Sequence, residues 1–206
     1  MTTSKEFHVY DAEVLWDQEI KPMFTPFCDR LALAGSVRRM NKLLVKDIEV
    51  LVIPKYEVRP NLFGEPAEST DLLHAALEAW VGDGSIWEKR PNVQGHFSFG
   101  PKNKLLIHKR SGIPVDVFTA DAQNWGMAMV VRTGPKGFNI AMMKRFQEHG
   151  MKGHAYGGVT TAGGVDVVCP DEQTVFDLLE WDYVAPIHRE SHAKAYRQSI
   201  PYGYRS

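Results

Sequence analysis

A strand with two acidic side chains on one face is the strongest constraint in this 206-residue sequence. Asp47 and Glu49 stand in an apolar, β-branched run that ends at Ile53. Because side chains alternate on a strand, the two acids point to one face and their apolar neighbours to the other. Two carboxylates about 7 Å apart along a packed strand are costly to bury unless cations lie between them. Oxygen ligands suit Mg²⁺, so the strand predicts a metal site.

A glycine–serine pair and a group of basic residues come before the acidic strand. Gly35 and Ser36 follow an apolar run, where a small residue lets backbone N–H groups face an anion. Four basic residues come next with no acid among them: Arg38, Arg39, Lys42 and Lys46. The order predicts a phosphate-binding turn, a basic connector and a metal-binding strand. Taken separately, each part has an ordinary alternative, namely a simple turn or solvent-facing acids that discourage edge pairing.

The rest of the chain gives a series of predicted elements and a third acidic strand. Asp116 lies between Val115 and Val117 in a strand predicted over 114–120, so an exposed role for it is the less favoured interpretation. The other expected elements are a helix over 9–28 with a kink or end near Ile20, a strand over 31–34, a loop over 54–68, a helix over 70–81, strands within 96–120, a strand over Met127–Thr133, a helix over 138–149, a hairpin within 153–168, a helix from Asp171 and a polar tail over 190–206.

Composition places the chain among ordinary soluble globular proteins, with 44% hydrophobic and 24% charged residues. No apolar run of about 18 residues predicts a membrane span. The N-terminus lacks a signal pattern, so a cytoplasmic location is expected. Cys28 and Cys169 have no zinc-ligand spacing, and no disulfide is expected.

The formal net charge of −1 gives no overall attraction to nucleic acid, but the basic residues are clustered. Residues 102–110 and 132–154 are rich in lysine and arginine, which fits a surface that follows a phosphate backbone. Lys102, Lys104, Lys144 and Arg145 are the predicted phosphate contacts. Solvated basic faces are the alternative interpretation.

Five motifs in this order resemble the DNA polymerase β-like group, family X, of the nucleotidyltransferases. They are Gly35-Ser36-Val37-Arg38-Arg39, Asp47-Ile48-Glu49, Asp116 on its strand, Thr133-Gly134 with Phe138-Asn139, and Glu172 to Leu179 followed by Tyr183 to Arg189. The resemblance covers about residues 9–189. It implies an α+β fold in a minimal form: a nucleotidyltransferase palm with a mixed or antiparallel sheet over 1–130, a small α+β thumb over 131–189 and a tail over 190–206.

The resemblance also implies a reaction. A DNA 3′-hydroxyl attacks the α-phosphorus of a nucleoside triphosphate, and pyrophosphate leaves. Asp47, Glu49 and Asp116 would be catalytic and hold two Mg²⁺ ions about 4 Å apart, with Mn²⁺ as a substitute. Contacts to the nucleotide would come from Gly35, Ser36, Arg39, Gly134 and Asn139. The implied partners are a nucleoside triphosphate and a DNA primer–template, without a membrane, and the protein is expected to be a monomer.

Two alternatives stay open at the level of sequence. One is nucleotidyl transfer to RNA, protein or a small molecule, because a fold does not fix its acceptor. The other is a non-catalytic nucleic-acid-binding protein, which the three retained carboxylates disfavour because negative charge near phosphate does not help binding. The chain also departs from the family at Val131 and Arg132, where the polymerases often have an aromatic pair before Thr-Gly, so sugar selectivity is expected to differ.

Overall fold

The computed structural model describes residues 5–60, 66–154 and 157–199, which form a mixed α+β structure. The strands are β1 Phe7–His8, β2 Cys28–Leu33, β3 Leu44–Val45, β4 Ile48–Pro54, β5 Tyr56–Pro60, β6 Pro66–Asp71, β7 Trp87–Lys89, β8 Asn103–His108, β9 Pro114–Thr119, β10 Met151–Gly153, β11 Val159–Thr161 and β12 Asp166–Val167. The α-helices are α1 Val9–Leu15, α2 Lys21–Phe24, α3 Gly35–Arg39, α4 Leu72–Gly82, α5 Trp125–Thr133, α6 Lys136–Glu148, α7 Glu172–Leu178 and α8 Arg189–Ser199.

The chain divides into two compact units. Unit 1 contains Met1–Leu33 and Leu43–Thr119, and unit 2 contains Ala34–Lys42 and Ala120–Ser206. The division into a palm over 1–130 and a thumb over 131–189 stays a prediction. Within the described residues, no helix is long and apolar enough to cross a membrane.

Unit 1 is built on a mixed sheet with the strand order β2-β4-β9-β8-β7. Strand β4 pairs in parallel with β9, and the neighbouring pairs of this sheet are antiparallel. Along β4, Ile48, Val50 and Val52 are fully buried, whereas Asp47 and Glu49 are half-buried. The predicted alternation of apolar and acidic side chains is therefore present, and the mixed sheet agrees with the expected fold class.

The first helical segment changes its winding ahead of its prolines. A π-helical turn, Trp16–Ile20, separates α1 from α2, and the N–H of Lys21 bonds to the carbonyl of Trp16. Proline has no N–H and its ring crowds the preceding turn, so a wider turn before Pro22 accommodates it. The predicted interruption near Ile20 is confirmed. Phe24 is buried against Trp80 and Trp87 with ring centroids 6.3 and 5.9 Å away.

Two segments differ from the sequence-based expectation. The expected loop over 54–68 contains β5 and β6, which pair antiparallel, while its residues 61–65 lie outside the described part. Tyr56 and Val58 alternate with polar residues, which is a pattern typical of a strand. The prolines in this segment favoured the prediction of a loop instead. The expected strand Met127–Thr133 lies within helix α5 and was wrong. A continuous apolar run fits a buried helix as well as a buried strand, so periodicity alone could not decide.

Unit 2 packs α5, α6, α7 and α8 with the antiparallel sheet β10-β11-β12. Its core includes Phe138, Phe146 and Phe176, all fully buried. Gly126 allows α5 to approach the start of α7, because a Cβ at this position would lie 1.9 Å from the carbonyl oxygen of Asp171. The predicted helices at 138–149 and after Asp171 are confirmed, and residues 190–199 of the expected tail are helical.

Candidate functional site

Strand register places two of the predicted metal ligands side by side in unit 1. Glu49 of β4 and Asp116 of β9 are Cα partners in the parallel pair. Adjacent strands lie about 5 Å apart, and partners in register share a face of the sheet. Asp47 comes immediately before β4, two residues from Glu49, so it belongs to the same face. The topology therefore brings all three predicted carboxylates to one region of one sheet.

A cavity of about 480 Å³ opens at this region, and we name it the carboxylate cavity. Asp47 and Asp116 both line it. The other lining residues are Lys5, Phe7, Lys46, Arg90, Asn92, Val93, Leu105, Gly112 and Pro114. Three of these are cationic, so the two acids share the cavity with positive side chains that can attract a polyphosphate.

Arg90 neutralises Asp116 directly. Its Nη2 lies 2.5 Å from Oδ1 of Asp116, and both side chains are largely buried. The arginine backbone N–H also donates to the carbonyl of Leu105 at 3.0 Å, which fixes the start of the side chain. Sequence reasoning did not single out Arg90, because it lies outside every recognised motif. No local sequence pattern indicates its contact with Asp116, which lies 26 positions further along the chain.

The donor chemistry of the three carboxylates fits Mg²⁺, which takes oxygen ligands and keeps several waters. Their side chains do not form a metal cluster as they stand: among the described residues, no group of three His, Cys, Asp or Glu could hold one ion. Oδ1 of Asp116 is engaged in the ion pair with Arg90. Assignment of Asp47, Glu49 and Asp116 as metal ligands stays a prediction.

One predicted phosphate contact is wrong. Lys104 is fully buried, and its Nζ lies 3.6 Å from Oδ2 of Asp71. Burial lowers the pKa of Lys104, and the nearby Asp71 carboxylate opposes that shift. The Lys104 side chain therefore belongs to the interior of unit 1 and cannot track a phosphate backbone. Lys102, by contrast, is exposed.

Arg39, Gly134 and Asn139 lie together in unit 2, and we name them the Gly134 cluster. A Cβ on Gly134 would lie 3.5 Å from Nη1 of Arg39 and 3.9 Å from Nδ2 of Asn139. Gly134 has φ +61°, a conformation that glycine adopts without strain. Arg39 ends the short helix α3, which begins at Gly35 and Ser36, and it donates to the carbonyl of Thr133. The predicted nucleotide-contacting residues of unit 2 thus lie on helix α3, at Gly134 after helix α5, and at Asn139 on helix α6.

Asn139 has one used and one unused polar atom. Its Nδ2 donates to the carbonyl of Val131 at 2.8 Å, while its Oδ1 is buried and has no hydrogen-bond partner among the described residues. A buried unpaired acceptor is costly, so it suits a donor from a ligand. This atom fits the predicted contact with a nucleotide, which stays a prediction.

Arg38 forms an ion pair within the protein, and its neighbour Arg39 belongs to the Gly134 cluster. It makes two bonds to Glu172, at 2.9 and 2.6 Å, and one to Oγ1 of Thr133 at 2.7 Å. Glu172 also accepts from the fully buried Arg189 at 2.8 Å. Burial favours the neutral acid, but the hydrogen bonds and charges of the two arginines outweigh it and lower the pKa of Glu172. Arg38 therefore holds α3 to α7 and α8.

Comparison with known proteins identifies one segment. The family model described as DNA polymerase beta thumb matches residues 128–190. This match supports a relationship with the DNA polymerase β-like family X, and it overlaps the segment 131–189 that the sequence motifs assigned to a thumb. A search of curated protein sequences gives no match to the chain.

Proposed function

We propose that the protein is a metal-dependent nucleotidyltransferase that adds deoxynucleotides to a DNA 3′-hydroxyl. The observation that carries the proposal is the parallel register that sets Glu49 beside Asp116, with Asp47 two residues away on the same face. The polymerase thumb match over 128–190 supports DNA as the acceptor. Three acids share one sheet face, and two of them, Asp47 and Asp116, line the carboxylate cavity, which favours a functional role over a purely structural one.

In the proposed reaction, the 3′-oxygen forms a bond to the α-phosphorus, and the bond from that phosphorus to the bridging oxygen breaks. Pyrophosphate leaves with the electron pair, and the hydroxyl proton passes to solvent or a base. Asp47, Glu49 and Asp116 would hold two Mg²⁺ ions, which supply charge stabilisation and a more acidic hydroxyl when bound. To bind a metal through Oδ1, Asp116 would have to release Arg90.

The residues of unit 2 are assigned to the triphosphate. The hydroxyl of Ser36 and the guanidinium of Arg39 would donate to the β- and γ-phosphate oxygens, with charge-assisted bonds from the arginine. Gly134 leaves space beside Arg39, because any side chain at this position would approach its Nη1. Asn139 Oδ1 would accept a hydrogen bond from the nucleotide, which satisfies its unpaired oxygen.

Primer extension tests the proposal. Labelled primer–template DNA, single-stranded DNA and an RNA primer are each incubated with the four dNTPs and Mg²⁺ or Mn²⁺, with EDTA as the negative control. We expect extension of a DNA 3′ end that EDTA abolishes and that Asp116→Asn lacks. Extension of the RNA primer alone would move the acceptor to RNA. Absence of extension under every condition, with DNA binding retained, would identify a non-catalytic binding protein.

A further inference from the structure

A short hairpin over residues 91–99 contributes to the carboxylate cavity and is held by its own hydrogen bonds. Pro91 and Phe97 form an antiparallel bridge. Asn92 Oδ1 accepts from the backbone N–H groups of Gln94 at 2.9 Å and His96 at 3.0 Å, and the Asn92 N–H donates to the His96 carbonyl. These bonds fix the turn before any ligand arrives, so its exposed side chains are preorganised.

Phe97 is a largely exposed aromatic side chain of this hairpin, with 66% of its surface accessible. It lines a second cavity of about 410 Å³, which we name the aromatic cavity. The other lining residues are Val81, Gly84, Trp87, Glu88, Lys89 and Lys109. The opposite arm of the hairpin, through Asn92 and Val93, lines the carboxylate cavity. One rigid hairpin thus supplies walls to both cavities.

The walls of the aromatic cavity suit a planar ligand. Phe97 presents an open ring face, and Trp87 forms part of the cavity wall. A volume of a few hundred cubic ångströms is typical of sites for small ligands. An open aromatic wall matches a nucleobase, which offers a π-face for stacking.

The charge around the aromatic cavity points to a polyanion. Two basic side chains, Lys89 and Lys109, and one acid, Glu88, line the cavity, so its lining is positive on balance. The adjoining stretch 89–110 contains six Lys or Arg residues and no Asp or Glu. Lys104 and Arg90 pair with Asp71 and Asp116. Lys102 and Lys109 are exposed, and Lys109 also donates to the carbonyl of Gly84. Lys89 is half-exposed, with its Nζ 4.0 Å from the centroid of the Phe99 ring. Basic side chains beside an open aromatic ring are the features with which proteins bind single-stranded nucleic acid.

We propose that the 91–99 hairpin binds an unpaired stretch of the acceptor strand, with Phe97 stacked on a base in the aromatic cavity and Lys89 and Lys109 on the flanking phosphates. The proposal rests on the proposed function, because it directs the strand end toward the carboxylate cavity that the same hairpin lines. It extends that function by assigning acceptor recognition to a segment outside all the recognised motifs. The required ligand is single-stranded nucleic acid, either DNA or RNA.

Binding without catalysis tests the hairpin. Fluorescence anisotropy with a labelled 12-nucleotide single strand of DNA, and separately of RNA, is measured in EDTA. Phe97→Ala is expected to weaken binding by roughly tenfold, the usual effect of removing one stacking aromatic, and Phe97→Trp is expected to retain it. Tyr10→Ala is the matched control, because Tyr10 is an aromatic residue of unit 1 with 65% exposure, and it should bind normally.

A positional probe separates stacking from a general loss of affinity. With 2-aminopurine placed at successive positions from the 3′ end, one position should change its fluorescence on binding to the wild type and not to Phe97→Ala. Unchanged affinity of Phe97→Ala, or an equal loss in Tyr10→Ala, would overturn the proposal. Asp116→Asn, which lacks one of the predicted catalytic carboxylates, separates the two proposals. Adding Phe97→Ala to this variant should weaken strand binding as much as it does in the wild type, whether or not the wild-type protein extends a primer.

Discussion

Nη2 of Arg90 lies 2.5 Å from Oδ1 of Asp116, so an internal cation occupies an oxygen that the proposed reaction assigns to a metal. In the proposed reaction, a metal ion and this guanidinium would compete for the same carboxylate. The ion pair keeps an acidic sheet face compatible with folding in the absence of metal, since a buried carboxylate without a partner is unfavourable. The competition makes Arg90 a positioning residue with a measurable effect on metal binding.

Arg90→Gln should therefore raise the affinity for Mn²⁺. Exposed ion pairs contribute up to about 1 kcal/mol, so loss of the largely buried Arg90–Asp116 pair should change the affinity by roughly fivefold or more. The measurement is a Mn²⁺ titration followed by the electron paramagnetic resonance signal of the free ion. Arg110→Gln is the control, because Arg110 pairs with Glu19 at an exposed position. A weaker or unchanged Mn²⁺ affinity in Arg90→Gln would mean that Asp116 is not a metal ligand.

Asp116→Asn should abolish nucleotide incorporation while the protein remains folded. Relief of like-charge repulsion alone would increase stability, but the pairing with Arg90 reverses the expected sign. Asparagine still accepts a hydrogen bond from the guanidinium, so the free energy of unfolding should fall by only about 1 kcal/mol. Primer extension and urea unfolding measure the two effects. Incorporation near the wild-type level in the folded variant would remove Asp116 from the catalytic group.

The local sequence pattern was sufficient to predict the strands that carry the acidic residues. It was insufficient to predict which side chains pair with the charged residues. The alternation around Asp47 and Glu49 and the β-branched neighbours of Asp116 define strands within a few residues. Arg90 was missed because its partner is 26 positions away, and nothing between them signals the contact. Arg38 was assigned to a basic connector, yet its partner Glu172 lies 134 positions further on. Such pairs are set by tertiary packing.

Burial explains the remaining errors. The sequence pattern predicts Lys104 at the basic end of a strand. In the structure it is paired with Val117 in the β8–β9 ladder, and its side chain is fully buried. The segment of helix α5 was predicted to be a strand because it contains the β-branched residues Val130 and Val131. In the structure the segment is helical, and it buries Trp125, Met127 and Met129. In both cases the local sequence indicates the polarity of a segment. It does not determine the tertiary packing that decides the secondary structure and the burial of each side chain.

Glu172→Gln should destabilise the protein by about 3 kcal/mol, because the buried Arg189 and the largely buried Arg38 lose their shared charge partner. Glu180→Gln is the control, since Glu180 pairs with Arg145 at an exposed position and should cost less than about 1 kcal/mol. Urea unfolding at neutral pH measures both. Equal small losses would show that the arginine–glutamate network contributes little.

The same glutamate predicts a pH dependence. Because the folded-state pKa of Glu172 is lowered, its contribution is present above the unfolded pKa of about 4.3 and is lost as the pH falls through the lower folded value. Wild-type stability should therefore decline more steeply below about pH 4.5 than that of Glu172→Gln. Parallel declines in the two proteins would assign the acid sensitivity to other carboxylates.

Salt dependence of DNA binding should separate Lys102 from Lys104. Each phosphate contact adds about 0.9 to the slope of log affinity against log salt on duplex DNA. Lys102→Gln is expected to lower the slope by about that amount, because its side chain is exposed. Lys104→Gln should leave the slope unchanged and lower stability, since it leaves Asp71 without its buried cation. A lower slope for Lys104→Gln in folded protein would contradict its burial.

We expect sugar selectivity to depend on the backbone between Val131 and Gly134. Related polymerases often have an aromatic pair before Thr-Gly, and this chain has Val131 and Arg132 instead. Val131 packs against the core of unit 2, and its carbonyl accepts from Asn139 at 2.8 Å. Asn139 therefore holds the backbone that would stand against a ribose 2′-hydroxyl.

We expect weak rejection of ribonucleotides, with a ratio of kcat/KM for dNTP over rNTP below roughly 10⁴, because a missing clash changes discrimination by only a few kcal/mol. Asn139→Ala should lower this ratio further, since the Val131 carbonyl loses its hydrogen bond and the backbone can yield to the extra hydroxyl. Gln147→Ala, an exposed change on the same helix α6, is the control and should leave the ratio unaltered. Single-nucleotide incorporation with each sugar gives the ratios. A wild-type value above roughly 10⁴ that Asn139→Ala does not change would place the discriminating wall elsewhere in the protein.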